Sequence, residues 1–284
     1  MVKKISINKT FLQFINNKKA LGGCLIIFVF TIIAIFAPLF SPYDPYKLMV
    51  GEQLQPPSIG HLFGTDYMGR DVFSRALYGT RISLSVAIMV GIISAIIGIV
   101  IGLSSAYFGG IFDMVAMRLV DIIMSIPWVM VALLLVSIIS PGIKTVVISL
   151  GIVYSPAFVR LVRSKAMSTS KEIYVIAAEA LGESKFSIMT KYILMNCIGP
   201  ILVQFTLTMS WSIIGESGIS YLGYGTQPPT PSWGLMLADS TRVINSAPIT
   251  LSILPGILIL VVVVGFNFLG DGLRDLFDPK SRNV

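Results

Sequence analysis

Two acidic residues, Asp121 and Glu216, lie inside long apolar stretches of the sequence. An ionisable side chain is costly in lipid, so such a residue usually faces a cavity, a partner chain or a counter-ion. Arg118 precedes Asp121 by three residues, which predicts an ion pair along one helix; the alternative is a role in a transport pathway. Glu216 has no basic neighbour and precedes the glycine-rich sequence SGISYLGYG. For Glu216 two roles stay open: bonding backbone groups where a helix ends, or lining a pathway.

The sequence has none of the short motifs that hold a nucleotide, a metal or a nucleophile. GxxxxGK[ST], HExxH, CxxC and GxSxG are all absent. The single histidine, His61, has no cysteine beside it, which argues against a metal site. Cys24 and Cys197 each begin an apolar segment, and both are expected to be buried hydrophobic side chains without a disulfide. The sequence therefore predicts a non-catalytic chain that binds no cofactor itself.

The longest polar interruption, Ser170–Asn196, has the pattern of two short amphipathic helices around Gly182. Ser170 is predicted to cap the first helix and Ser184 the second, and Gly182 can adopt the left-handed conformation that ends a helix. The predicted apolar faces are Ile173, Ala177, Ala180 and Leu181 in the first helix and Phe186, Met189 and Ile193 in the second. Such a hairpin is suited to docking against another protein.

The composition is that of a membrane protein. Of 284 residues, 55% are hydrophobic and 12% are charged, whereas soluble domains average roughly 25% charged residues. The net charge of +7 comes from basic residues beside apolar stretches, which favours contact with anionic lipid over nucleic acid. Six stretches are long enough to span a bilayer: Ala20–Phe40, Ile82–Phe108, Val115–Ile139, Ile143–Leu161, Ile198–Ile214 (or as far as Tyr221) and Pro248–Leu269.

The distribution of basic residues predicts the orientation. With a cytoplasmic N-terminus, most of the 21 Lys and Arg residues lie on the cytoplasmic side, together with the hairpin and the C-terminus. The first apolar stretch lacks a small-residue cleavage site, so it is predicted to be a membrane helix and not a signal peptide.

Small residues and prolines mark the apolar stretches. Ser94, Gly98, Gly102 and Ala106 recur every fourth residue, a spacing typical of close helix packing, either within the chain or with a partner. Pro127 and Pro156 are predicted to kink the third and fourth spans.

Four stretches resemble one transporter family. Ala177-Ala178-x-x-x-Gly182 followed by Ile193-Leu194 is similar to the EAA loop of ABC importer permeases, although Ile176 replaces a glutamate and Met195 a proline. GTDYMGRDVFSRALYGTRISL from Gly64, ESGISYLGYGTQPPTPSWG from Glu216, and NFLGDGLRD with Asp278-Pro279 resemble segments of the dipeptide/oligopeptide/nickel permeases of the OppC/DppC type.

The resemblance implies an all-α membrane protein with the type I ABC importer permease fold, six transmembrane helices and both termini cytoplasmic. Such a chain forms half of the translocation pathway in the bacterial cytoplasmic membrane. Its implied partners are a second homologous permease, two cytoplasmic ATPases that bind ATP and Mg, an extracytoplasmic substrate-binding protein and membrane lipid. Peptides are the expected substrate and nickel or its chelates the alternative. A self-sufficient secondary transporter and a membrane scaffold are rival functions.

The implied organisation has three parts: 1–81 as N-terminal segment, first helix and connector; 82–272 as the five-helix core with the hairpin at about 171–196; and 273–284 as a tail. The residues implied to dock on an ATPase are Ala177, Ala178, Glu179, Gly182, Glu183, Lys185, Phe186 and Lys191. Glu216, Asp121 and Trp211 are the candidates for a pathway or intramembrane structural role, with an interfacial aromatic belt as the alternative for Trp211.

Overall fold

The computed structural model describes residues 17–243 and 248–277, and all regular elements in these ranges are helical apart from one β-bridge between Thr65 and Asp71. Expectations that fall on the N-terminal lysines up to residue 16, or on the Asp278-Pro279 pair and the tail beyond it, lie outside these residues. The helices are α1 (Lys18–Phe40), α2 (Val72–Phe108), α3 (Gly110–Ser125), α4 (Trp128–Ile139), α5 (Ile143–Thr169), α6 (Ile173–Ala180), α7 (Lys185–Tyr221), α8 (Trp233–Arg242) and α9 (Thr250–Phe277).

Five of these helices are long and apolar enough to cross a membrane: α1, α2, α5, α7 and α9. If the bent pair of α3 and α4 is counted as one broken span, the described residues contain six spans, which agrees with the prediction. The second span starts at Val72, ten residues before its predicted start at Ile82, because Asp71 caps a helix that continues through the polar VFSRALYGTR sequence.

Pro127 breaks the third span. Helices α3 and α4 meet there at 97°, and Ile126 between them is extended, with φ −101° and ψ 137°. A proline lacks the backbone N–H and disfavours helical geometry in the residue before it, which explains the break. Pro156, in contrast, lies inside the continuous helix α5.

The small residues of α2 pack within the chain. A Cβ atom at Gly102 would lie 2.8 Å from the Val159 carbonyl oxygen, and one at Gly98 would overlap the Phe158 side chain. The Ser94 hydroxyl donates to the Gly151 carbonyl at 2.9 Å. Because all three contacts are to α5, the small-residue spacing serves an intrachain helix pair.

The two cysteines differ from expectation in one respect. Both are free thiols, and Cys197 is buried, as predicted. Cys24 is exposed, so the prediction that it is buried was wrong. The reason is its position on α1, a peripheral span with only four buried residues among 23.

Candidate functional site

The hairpin forms where the sequence predicts it, but its first cap is different. Helix α6 begins after Glu172, whose side chain makes no capping hydrogen bond. The Ser170 hydroxyl donates instead to the Met167 carbonyl at 3.0 Å, so Ser170 belongs to the end of α5 and the predicted cap was wrong. Ser184 does cap α7, since its hydroxyl accepts from the Ser187 N–H at 3.3 Å.

Gly182 makes the turn between α6 and α7. Its φ is +80°, the left-handed conformation predicted for it. The Gly182 N–H donates to the Glu179 carbonyl at 3.0 Å, and the Glu183 N–H donates to the Ala178 carbonyl at 3.1 Å. These bonds satisfy carbonyl groups at the end of α6, as glycine-terminated helices commonly do. A Cβ at Gly182 would meet nothing within 4 Å, so only backbone geometry demands glycine.

The hairpin rests on the membrane helices through a narrow strip and leaves its apolar face outward. Val175 and Ala178 are buried, whereas Ile173 is 84% exposed and Leu181 86% exposed. Ala177 and Ala180 are exposed as well. The predicted apolar face of α6 is therefore largely exposed on the described part of the chain. Ala178, a predicted docking residue, faces inward.

A π-helical segment, Ile188–Leu194, changes the register of the second arm. Residues five apart share a face in a π-helix, and Ile188 and Ile193 are both 1% exposed. Phe186 points outward with 76% of its surface exposed, so the predicted face of Phe186, Met189 and Ile193 was wrong for Phe186. Sequence periodicity missed this because it assumes α-helical spacing.

The hairpin also presents charges. Glu179, Lys185 and Lys191 are exposed. Glu183 is half-buried and accepts a hydrogen bond from the Tyr192 hydroxyl at 3.4 Å. Seven of the eight predicted docking residues are thus exposed or half-buried, and only Ala178 is buried.

The break at Pro127 opens a cleft of about 520 Å³ between α3, α4, α5 and α7. Trp211, a predicted pathway residue, lines the cleft, and its carbonyl accepts from the Tyr154 hydroxyl at 3.3 Å. The Trp128 and Tyr154 rings lie 5.9 Å apart on the same wall. The polar side chains of the lining are Ser125, Tyr154, Gln204, Thr208 and the Trp128 and Trp211 indoles.

Asp121 pairs with Arg160 of α5 at 2.6 Å, and not with Arg118 as predicted. A spacing of three residues places two side chains near each other on one helix, but it carries no information about residues on a neighbouring helix. Arg160 approaches from α5, and its guanidinium donates to Asp121. A second pair joins the same helices, with the Arg163 guanidinium bidentate to Asp113 at 2.5 and 2.6 Å.

Glu216 lies outside the cleft and is 1% exposed. Its carboxylate accepts from the Ser220 hydroxyl at 2.7 Å and from the Thr226 hydroxyl at 3.0 Å. The Ser220 oxygen in turn accepts from the Thr226 N–H at 2.9 Å. Glu216 therefore ties the end of α7 to the loop that follows it, but through side-chain hydroxyls and not through the backbone groups that the sequence suggested.

A buried charged cluster at the end of the molecule opposite the hairpin was not singled out from the sequence. Arg70 bonds Asp66 at 2.6 Å and approaches Asp239 of α8 at 3.5 Å, and Arg75 lies 3.5 Å from Asp66. All four side chains are at most 7% exposed. Burial raises the pKa of Asp239, while Arg75 and Arg70 act to lower it. In the sequence, the alternating acidic residues and arginines of GTDYMGRDVFSR indicated that such a charged cluster could form.

Asp71 and His61 complete the connector before α2. Asp71 accepts from the Ser74 N–H at 2.7 Å, which caps α2, and lies 2.9 Å from the Nδ1 atom of His61. Among the described residues, no group of three or more His, Cys, Asp or Glu side chains could hold a metal ion.

Comparison with protein-family models gives two matches. Residues 94–283 match the model described as "Binding-protein-dependent transport system inner membrane component". Residues 8–57 match "N-terminal TM domain of oligopeptide transport permease C".

Curated relatives are similar over nearly the whole chain. The dipeptide transport system permease protein DppC of Alkalihalophilus pseudofirmus is 42% identical, over 97% of this chain and 90% of the relative. The di/tripeptide transport system permease protein DppC of Pseudomonas aeruginosa is 40% identical, over 97% and 93%. The glutathione transport system permease protein GsiD of Escherichia coli is 36% identical, over 95% and 89%.

Among solved structures, a chain of the MetNI methionine ABC transporter, described as inward facing, superposes with a TM-score of 0.59. The two sequences are 18% identical, and the match covers 71% of this chain and 96% of that one. This likeness concerns the fold.

Proposed function

The chain belongs to the family of binding-protein-dependent transport system inner membrane components, and from this premise we propose that it is a permease subunit of an ATP-driven importer of small peptides. It is a multi-pass protein of the bacterial inner membrane with the type I ABC importer permease fold. The peptide and glutathione names of its relatives favour peptides over the nickel alternative.

The observation that carries the proposal is the outward apolar face of the hairpin. Ile173, Leu181 and Phe186 are each at least three-quarters exposed, and the same hairpin carries the exposed charges of Glu179, Lys185 and Lys191. Contiguous exposed apolar side chains in a polar setting mark a protein interaction site. The sequence has no motif for binding nucleotide phosphates, so the energy for transport comes from a partner.

In this proposal the hairpin and both termini face the cytoplasm, and the hairpin docks on one of two ATPase subunits that hold ATP and Mg²⁺. A second, homologous permease completes the pathway, and an external binding protein delivers the peptide. The chain is non-catalytic and binds no cofactor, because its contribution is mechanical. Ile176, which replaces the family's glutamate, is 54% exposed and extends the apolar face.

The test is ATP-driven uptake of a radiolabelled dipeptide into proteoliposomes that hold the full complex, with binding protein supplied outside. Gly182→Asp places a charge within the apolar docking face. We expect this variant to insert in the membrane at the normal level and to lose uptake together with ATPase association. Normal uptake by Gly182→Asp would contradict the docking role. Uptake by this chain alone, driven by an ion gradient, would refute the importer-subunit proposal.

A further inference from the structure

The cleft behind Pro127 is mostly apolar, has a few uncharged polar side chains in its lining, and is flanked by one ion pair. Asp121 precedes Met124 and Ser125, which line the cleft, by one turn of α3. Arg160 follows Pro156 and Ala157, which also line it, by one turn of α5. Side chains three and four residues apart lie on the same helix face, so both charged groups border the cleft on its hairpin side.

This pair is held more loosely than its neighbour. Arg160 and Asp121 meet through one bond at 2.6 Å and are 48% and 52% exposed. Arg163 and Asp113 meet through two bonds and are 28% and 20% exposed. An exposed single-bond pair contributes little to stability, whereas bidentate geometry adds strength and specificity. The single bond leaves the second oxygen of Asp121 and other nitrogen atoms of the Arg160 guanidinium outside the pair.

We propose that Asp121 and Arg160 form a binding site for the two termini of a zwitterionic peptide as it leaves the cleft. The Arg160 guanidinium donates to the peptide carboxylate, and the Asp121 carboxylate accepts from the peptide ammonium group. The inference rests on the proposed import of peptides and deepens it, because it assigns recognition of free termini to this chain.

The peptide body fits the uncharged part of the cleft. Two residues span at most about 7 Å, which is small against a cleft of about 520 Å³. The indole and phenol rings of Trp128, Tyr154 and Trp211 offer apolar surface to any side chain, while Ser125 and Gln204 offer hydrogen bonds to the peptide group. The lining contains no charged side chain, so the charges for the two termini come from the adjoining Asp121–Arg160 pair.

The experiment measures binding to the cleft directly, without the external binding protein. The full nucleotide-free complex carries Ser125→Cys, and maleimide modification of the fragment that contains residue 125 is followed by mass spectrometry. The probes are dialanine, N-acetyl-dialanine and dialanine amide, added to the hairpin side. We expect dialanine to slow modification, and each blocked probe to need about a tenfold higher concentration, as loss of one charge-assisted hydrogen bond implies.

Two substitutions and a matched control separate binding from structure. In Arg160→Gln, dialanine and dialanine amide should protect residue 125 from modification equally, because the partner of the peptide carboxylate is gone. In Asp121→Asn, dialanine and N-acetyl-dialanine should protect it equally, because the partner of the peptide ammonium group is gone. Asp113→Asn breaks the other pair between the same helices and should leave the order of the three probes unchanged. Equal protection by all three probes in the unsubstituted complex overturns the site, as does an Asp113→Asn effect equal to that of Asp121→Asn. Intact ATP-driven dipeptide uptake without any protection by dialanine also overturns it and leaves the proposed function standing, whereas absence of uptake counts against the function itself.

Discussion

Gly182→Ala isolates the backbone requirement of the hairpin turn. Gly182 has φ +80°, and an added Cβ would meet nothing within 4 Å. The left-handed conformation costs an L-residue about 1–2 kcal/mol, and steric overlap adds nothing here. A change of this size alters the balance between the native turn and other turns by a factor of about 5 to 30. Asparagine tolerates this conformation better than alanine, so Gly182→Asn should lie between the two.

The assay combines ATP-driven dipeptide uptake with hydrogen exchange of the hairpin in the assembled complex. Uptake and protection of α6 amides should both fall in the order Gly, Asn, Ala. The matched control is Gly223→Ala, since Gly223 has φ +86° and equally open surroundings at the other end of α7. That control should leave hairpin protection unchanged. If Gly182→Ala matches the unsubstituted protein while Gly182→Asn fails, the backbone reasoning is refuted.

Two further predictions concern stability, measured as thermal unfolding of the purified complex. Arg70→Gln removes the guanidinium that bonds the buried carboxylate of Asp66 at 2.6 Å and approaches that of Asp239 at 3.5 Å, so we expect a loss of about 3–5 kcal/mol. Arg242→Gln removes a 65% exposed partner of Asp239 and should cost less than about 1 kcal/mol. Gly98→Val forces apart α2 and α5 and should cost at least about 1–3 kcal/mol, whereas Gly22→Val, on α1 with nothing within 4 Å of its Cβ position, should have little effect. If Arg70→Gln and Arg242→Gln lost equal stability, or if Gly98→Val and Gly22→Val did, the assigned packing would be contradicted.

Features that depend on neighbouring residues were predictable from the sequence. The six apolar stretches, the break at Pro127, the turn at Gly182 and the cap at Ser184 all follow from hydrophobic length, the missing proline N–H and local hydrogen bonding. Family membership followed from motifs spread along the chain. The proposed docking face was visible as well, since its apolar residues recur with helical spacing on α6.

Features that depend on neighbouring helices were decided only by the tertiary structure. Asp121 bonds Arg160, 39 residues away, and Arg70 approaches Asp239 across 169 positions; no local spacing predicts such partners. The α-helical spacing of the sequence did not reveal the π-helical segment Ile188–Leu194 or the outward position of Phe186, and exposure of Cys24 depends on how little of α1 is covered. Composition and periodicity determine which segments enter the membrane, because the bilayer acts on each segment separately. Which charges meet, and where a cleft remains, depends on the distances between whole helices, and those exist only once the helices have packed.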